Sequence, residues 1–170
     1  MRDLFEQFLP SERRVRRLGS MVRADQLLSM TGDPVRGGEL FLRNAAVGCR
    51  NCHRVGEIGG RMGPDLTVIG KKFSRAQLLE SILEPSRVID PKYVSYVVQT
   101  SDGQVHIGLL SDRTEREVLL RNAKDEVVRI PLATVEEIAP QRQSIMPELL
   151  LEDMTADQVA DLLEFLSGLK

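Results

Sequence analysis

Both cysteines of this 170-residue chain lie in one short motif, in which residues 49–53 read Cys-Arg-Asn-Cys-His. The spacing C-x-x-C-H is the one that covalent attachment and ligation of a c-type haem require. Each thiol adds to one vinyl group of the porphyrin, and a ring nitrogen of the adjacent histidine coordinates the iron. We therefore expect Cys49 and Cys52 to hold a haem c and His53 to be an axial ligand, so that the chain folds around the cofactor.

Two other uses of the paired cysteines are open on sequence grounds, although both fit less well. A zinc site would have to recruit both His53 and His106, because the chain has no third cysteine. A thioredoxin-like pair opens a helix after a strand. Here the preceding segment is predicted to be helical and the following one is a glycine-rich loop.

Charge and hydropathy exclude some partners, and the haem-attachment motif indicates an exported protein. The formal charge of −2 argues against nucleic acid, because a phosphate-binding surface carries a clear basic excess. No apolar run approaches the length of a membrane span or a signal-peptide core. Because c-type haem is attached outside the cytoplasm, we expect a periplasmic or otherwise exported protein whose export signal lies upstream of Met1, in a longer polypeptide.

The helical pattern of apolar residues and caps predicts an N-terminal extension and three capped helices. Apolar residues such as Val15, Leu18 and Val22 recur at helical spacing, so residues 1–31 are predicted to form an N-terminal helical extension. The capped helices begin at Pro34 after Asp33, at Ser74 with Gln77 in a capping box, and at Thr155 with Gln158 in a second capping box. Gly37 lies inside the first of them, at a cost of about 1 kcal/mol relative to Ala, which indicates that another backbone approaches closely.

Residues 93–139 change to a β pattern. Strands are predicted over 93–98, 105–110, 118–120 and 127–130, with a hairpin turn at Asp102-Gly103. The segment therefore forms a small antiparallel meander or barrel. Its eight acidic and five basic side chains carry no nucleic-acid signature.

A sixth iron ligand would decide the chemistry, because iron with two protein ligands mainly transfers electrons and iron with one binds gas or peroxide. Met146 is the favoured candidate, since it lies in an aperiodic segment stiffened by Pro147. Met62 is too near His53 in sequence to reach over the ring easily, and His106 lies in a predicted strand.

These landmarks resemble those of the class I cytochromes c. More narrowly, the chain is similar to the C-terminal haem-binding domain of large secreted multidomain proteins of planctomycetes and verrucomicrobia, often found beside dehydrogenase-like propeller or helical-repeat domains. The matching stretches are Gly32-Asp33-Pro34, the C-x-x-C-H motif, Gly63-Pro64-Asp65-Leu66, Ser144-Ile145-Met146-Pro147 and the helix around Leu162 to Leu166.

The resemblance implies a mainly α cytochrome c fold around one covalent haem, built from residues 32–92 and 140–170, with residues 93–139 as a β insertion. It also implies roles for single residues. Cys49 and Cys52 would form the thioethers, His53 and Met146 would be the two metal ligands, and the Pro64 carbonyl would accept the other ring N–H of His53. Gly37 and Phe41 would meet Phe165 where the first and last helices of the haem domain cross.

The function expected from these features is electron transfer rather than enzymatic catalysis. The chain would pass electrons between a fused or partner dehydrogenase and a downstream acceptor, as a module of a larger oxidoreductase or as a separate carrier. The alternative is a gas-sensing or peroxidatic haem domain with an open distal site. A third possibility is a binding module in the β segment, with the haem only stabilising the fold.

Overall fold

The computed structural model describes residues 8, 10, 14–19, 22–43 and 47–170. Its helices are α1 (Ala24–Ser29), α2 (Pro34–Arg43), α3 (Cys49–Cys52), α4 (Ile69–Lys72), α5 (Arg75–Leu83) and α6 (Ala156–Gly168). Its strands are β1 (Arg54–Val55), β2 (Ile58–Gly59), β3 (Ser95–Thr100), β4 (Val105–Arg113), β5 (Glu117–Arg121), β6 (Val127–Pro131) and β7 (Val135–Pro140). Short 3₁₀ turns cover Pro91–Tyr93 and Leu132–Thr134.

The chain divides into two compact units. The helical unit consists of Met1–Cys49, Leu66–Glu84 and Glu148–Lys170, and the sheet unit of Arg50–Asp65 and Pro85–Pro147. All seven strands belong to the sheet unit, and the boundary falls inside α3, after Cys49. The segments expected to form the haem domain, 32–92 and 140–170, contribute to both units.

The expectation of a mainly α cytochrome c fold is wrong. The described residues are 34% helical and 23% strand, and they include a five-stranded antiparallel sheet and a two-stranded one. The physical reason is that the strands bury a hydrophobic core of their own, around Val98, Val118, Leu120 and Ile130. The β residues are therefore a major part of the fold, which is mixed α and β.

The predicted N-terminal helical extension is correct at Ala24–Ser29 and wrong at residues 14–19. Residues 14–19 have irregular backbone, and within 22–31 only Ala24–Ser29 is helical. The backbone N–H of Leu18 donates to the carbonyl of Met154 at 2.9 Å, and that of Gly19 to the carbonyl of Glu152 at 3.0 Å. These tertiary bonds replace the local bonds of a helix. Residues 1–7, 9, 11–13, 20 and 21 of the predicted extension lie outside the described residues.

In the helical unit, α2 packs closely against α6. A Cβ at Gly37 would overlap the carbonyl oxygen of Asp161 and lie 2.8 Å from Cβ of Phe165. The rings of Phe41 and Phe165 pack with their centroids 5.8 Å apart. The contacts expected of Gly37 and Phe41 with Phe165 are therefore confirmed, and the approach of the two backbones explains the glycine.

The predicted helix caps are present. Ser74 and Gln77 form a capping box at α5, and Thr155 and Gln158 form one at α6. Oδ1 of Asp33 accepts from the backbone N–H groups of Val35 and Arg36 at 2.8 and 3.2 Å, which caps α2. Each of these bonds satisfies a donor that a helix N-terminus leaves without a partner.

A buried carboxylate joins α6 to the start of α2. Oδ1 of Asp161 accepts from the backbone N–H of Asp33 at 2.6 Å, and its two oxygens accept from Nη2 and Nε of Arg36 at 2.8 and 2.7 Å. The Arg36 hydrogen bond, assisted by the Asp33 N–H, holds the pKa of Asp161 below its usual range. The sequence carried no signal for this long-range pairing.

The sheet unit contains the predicted meander and one strand more. The strand order is β6-β5-β4-β3-β7, and every neighbouring pair is antiparallel. The four predicted strands are confirmed as β3 to β6, and Gly103, with φ +82°, occupies the predicted turn. Strand β7 was not predicted, and it lies at the sheet edge beside β3.

Among the described residues, no helix has both the length and the apolar character that crossing a bilayer requires.

Candidate functional site

The C-x-x-C-H motif is folded as a single helical turn followed by a tight hairpin. Cys49 is the first residue of α3 and Cys52 the last, and no disulfide joins them. Residues three apart on a helix are neighbours on one face, and both side chains are partly exposed. Each thiol is therefore accessible to a ligand on that face.

The glycine-rich loop braces this turn through the backbone. The N–H of Gly60 donates to the carbonyl of Arg50 at 2.9 Å, and the N–H of Gly63 donates to the carbonyl of Cys52 at 2.8 Å. A Cβ at Gly60 would overlap the carbonyl oxygen of Asn51. The close approach requires glycine at this position and fixes the conformation of the motif.

His53 makes the hydrogen bond that the resemblance implies. Its Nδ1 lies 2.9 Å from the carbonyl oxygen of Pro64. Because a carbonyl only accepts, Nδ1 must carry the proton in this bond, so Nε2 is the nitrogen with a lone pair for a metal. Within residues 47–170, where the structure is continuous, no group hydrogen-bonds to Nε2.

Gly63 packs directly on the His53 ring. A Cβ at Gly63 would lie 2.5 Å from Cε1 and 2.8 Å from Nδ1 of His53. No side chain fits there unless the ring or the loop moves. The ring is therefore held on one face by backbone and at Nδ1 by the Pro64 carbonyl.

The pKa shifts at the motif favour a metal ligand over a redox thiol. Burial lowers the pKa of His53, partly opposed by the hydrogen bond to Pro64, so the neutral imidazole that binds metals is favoured. Burial raises the pKa of the Cys52 thiol, and the charge of Asp125 adds to the rise. A thioredoxin-like cysteine needs the opposite shift.

Met146 lies in the sheet unit, in the loop before Pro147. Its backbone N–H donates to Oγ of Ser144 at 3.1 Å, and the N–H of Ser144 donates to Oγ of Ser86 at 3.1 Å. The loop is thus tied down, and the Met146 side chain is partly exposed.

The two other candidate ligands, Met62 and His106, lie in the hydrophobic core and in the five-stranded sheet. Met62 is fully buried. His106 lies in β4, opposite Val98 of β3. Met62 is therefore a core residue, and His106 is part of the five-stranded sheet.

An ion pair beside His53 was missed by sequence reasoning. Nε and Nη2 of Arg54 donate to Oδ2 of Asp65 at 3.1 and 2.5 Å. This hydrogen bond and the charge of Asp65 raise the pKa of Arg54. The only sequence signal was position, since each residue directly follows a member of the His53–Pro64 pair.

The residues of the motif fit a haem c. The donor set consists of two thiols on one helical turn and a neutral imidazole whose Nδ1 is already bonded, which is the arrangement that ligating histidines adopt. Cys49, Cys52 and His53 would hold the group. In the part of the chain that the structure describes, no cluster of three or more His, Cys, Asp or Glu side chains is arranged to hold a metal ion.

No protein-family model matches the chain, and no curated protein matches it either. The fit to haem c therefore comes from the residues of the motif and from the contacts that His53 makes with Gly63 and Pro64.

Proposed function

We propose that this protein is an electron carrier that binds one haem c covalently through Cys49 and Cys52, with His53 as an axial ligand. The observation that supports this best is the hydrogen bond between Nδ1 of His53 and the Pro64 carbonyl, at 2.9 Å. In a C-x-x-C-H motif this bond assigns the proton to Nδ1 and the lone pair to Nε2.

When bound, haem supplies an iron that alternates between the ferrous and ferric states. The protein contributes orientation and basicity. Gly63 and Pro64 hold the His53 ring in one orientation, and the Pro64 carbonyl raises the basicity of Nε2 by accepting a hydrogen bond from Nδ1–H.

Met146 is the proposed second ligand. Its loop is tied through Ser144 to Ser86, with both hydrogen bonds at 3.1 Å, and is stiffened by Pro147. A fixed loop presents a thioether at a constant distance. With both His53 and Met146 as ligands, the iron would have no place for a substrate, which would favour electron transfer over substrate chemistry and would raise the reduction potential relative to bis-histidine ligation.

We also propose that the protein is exported, because c-type haem is attached outside the cytoplasm, and that it exchanges electrons with redox partners. The electron donor would be a dehydrogenase, fused to this chain or separate, and the acceptor a downstream redox protein.

The test is production of the chain in a host that exports it and attaches haem to C-x-x-C-H motifs. We expect haem to remain with the polypeptide through denaturation and acid–organic extraction, with one haem per chain by intact mass. The matched controls are Cys49→Ala/Cys52→Ala, which should carry none, and His106→Ala, which should carry a full complement. Release of free haem from the unmodified protein contradicts the proposal.

A further inference from the structure

The segment that carries His53 and Arg54 lies beside the segment that carries Pro64 and Asp65. Side-chain hydrogen bonds join the two segments at two consecutive positions. His53 bonds to Pro64 through Nδ1 at 2.9 Å, and the next residue of each segment forms the Arg54–Asp65 ion pair. The ion pair is therefore a second tie, one residue from the bond that orients the imidazole.

The backbone around this ion pair is already fixed on the Arg54 side. Arg54 lies opposite Gly59 in the β1–β2 pair, and a Cβ at Gly59 would overlap the carbonyl oxygen of His53. Pro64 and Asp65 follow Gly63, whose N–H bonds to Cys52, but no backbone bond is shown for Pro64 itself. The side chain of Asp65 anchors the chain on the other side of the carbonyl that His53 uses.

The ion pair has a defined geometry. Nε and Nη2 of Arg54 both donate to Oδ2 of Asp65, so the guanidinium plane is oriented by two bonds. The side chains are 33% and 44% exposed, so removing the pair leaves no buried charge without a partner. We therefore expect a substitution here to change the local geometry without unfolding the unit.

We propose that Arg54 and Asp65 are positioning residues that hold the Pro64 carbonyl on Nδ1 of His53 and thereby lower the reduction potential of the iron. The inference rests on the proposed function. A stronger hydrogen bond from Nδ1–H makes the imidazole a better electron donor, which stabilises ferric iron. Loosening the carbonyl therefore raises the potential.

The positioning role and a simple charge effect predict shifts of different sign in the reduction potential of the iron. Near an iron centre, loss of the positive charge of Arg54 lowers the potential and loss of the negative charge of Asp65 raises it. If the pair acts by positioning, Arg54→Gln and Asp65→Asn both raise the potential. The double variant removes the pair at constant net charge, so a charge effect cancels in it and a positioning effect persists.

The experiment compares the haem-loaded wild type, Arg54→Gln, Asp65→Asn and the double variant by potentiometric titration. A matched control is the Arg129–Glu117 pair, an ion pair at 2.8 Å between neighbouring strands of the sheet unit. Arg129→Gln/Glu117→Gln removes a similar pair that does not flank His53, and we expect its potential to equal that of the wild type.

A second measurement follows the hydrogen bond itself. In the diamagnetic ferrous protein, the Nδ1–H resonance of His53 can be observed by NMR with ¹⁵N-labelled histidine. We expect faster solvent exchange of this proton in both single variants and in the double variant, and no change in the Arg129→Gln/Glu117→Gln control.

Three upward shifts of potential together with faster Nδ1–H exchange support the inference. Opposite shifts in the single variants, a wild-type potential in the double variant, or unchanged exchange overturns it while leaving the proposed function intact. A wild-type chain that acquires no covalent haem overturns both.

Discussion

His53 has two ring nitrogens, and the identity of the protonated one decides what the residue can do. The Pro64 carbonyl, 2.9 Å from Nδ1, makes that choice. The C-x-x-C-H motif predicted His53 as a candidate ligand, because the whole signal lies in five consecutive residues. The resemblance supplied the Pro64 contact, whereas no pattern indicated that the backbone of Gly63 would lie against the ring.

Gly63→Ala tests that contact at the scale of one residue. The added Cβ would lie 2.5 Å from Cε1 of His53, so the ring or the loop must move. Overpacking of this kind costs about 1–3 kcal/mol. We expect a loss of about 2 kcal/mol in the free energy of unfolding, measured by urea titration, together with a lower yield of attached haem.

Gly168→Ala is the control for this substitution, because a Cβ there would meet nothing within 4 Å. Its free energy of unfolding should equal that of the wild type or exceed it slightly, because Gly168 ends α6 and alanine favours a helix over glycine. Equal stability and haem yield in both variants would show that the Gly63 contact does not constrain His53.

At the scale of elements, the α2–α6 crossing depends on the absence of a side chain at Gly37. A Cβ there would overlap the backbone carbonyl of Asp161, whereas a Cβ at Gly38 would meet only the Phe165 ring, at 3.3 Å. Backbone in a packed helix cannot move aside easily, but a ring can adjust by a few tenths of an ångström. The two adjacent glycines therefore differ in how strictly they are required.

This difference predicts opposite responses to alanine. Each substitution gains about 1 kcal/mol in helix propensity, but overpacking against backbone in Gly37→Ala costs more than it gains, for a net loss of about 2 kcal/mol. Gly38→Ala should be neutral or slightly stabilising. Urea unfolding of the two variants measures both, and equal stabilities would contradict the close crossing.

Asp161 gives the same crossing a dependence on pH. The pKa of Asp161 is depressed in the folded state, mainly by Arg36. The stability that the ionised carboxylate contributes is therefore present above the pKa that Asp161 has in the unfolded chain, and it is lost as the pH falls through the folded pKa. We expect Asp161→Asn to lose about 2 kcal/mol of unfolding free energy at pH 7, because it weakens charged hydrogen bonds to a buried group.

The difference between wild type and Asp161→Asn should shrink as the pH falls below about 4, where the carboxylate of the unfolded chain is protonated. Asp25→Asn is the control. Asp25 also pairs with an arginine, Arg23, but its side chain is 72% exposed, and such pairs add little stability. A constant difference across this pH range would show that Asp161 does not carry the effect.

Elements with local signals were predictable, and those that depend on distant partners were not. The capping boxes at Ser74 and Thr155 lie within four residues of sequence and are present in the structure. Strand β7 contains two adjacent glutamates and ends at Pro140, so it lacks a clean strand pattern. It is a strand because β3 pairs with it, and its place at the sheet edge tolerates proline.

The same reason explains the error in the N-terminal segment. Val15 and Leu18 have helical spacing, but the backbone there bonds to the segment before α6. A periodic pattern reports which residues are apolar, and tertiary hydrogen bonds decide whether a weak helix forms. The fold class was wrong because the resemblance implied only a small insertion at residues 93–139, whereas the strands there form a five-stranded sheet with a hydrophobic core of its own.

At the scale of the whole molecule, residues far apart in sequence belong to one unit. The segment from Arg50 to Asp65 and the loop carrying Met146 are both parts of the sheet unit, although 80 or more residues separate them. A compact unit that contains both proposed ligands is a requirement of the proposed function. Strands β3 to β7 lie between these segments in sequence and belong to the same unit, so we expect folding of the five-stranded sheet to define where each segment lies.

Met146→Ala tests whether both axial positions are filled. Haem should stay attached, because Cys49, Cys52 and His53 are unchanged. The potential should fall, since a thioether prefers ferrous iron, and the ferrous protein should become reactive towards carbon monoxide. Visible spectra of both oxidation states, recorded with and without carbon monoxide, measure the change.

The controls for Met146→Ala are His106→Ala and Met62→Leu. Leucine is used at position 62 because the side chain is fully buried and alanine would leave a cavity. Both variants should resist carbon monoxide as the wild type does and keep the weak long-wavelength band of methionine sulfur on ferric iron. A wild-type protein that binds carbon monoxide readily and lacks this band would have an open distal position, and gas sensing or peroxidatic chemistry would then replace electron transfer as the function that the site supports.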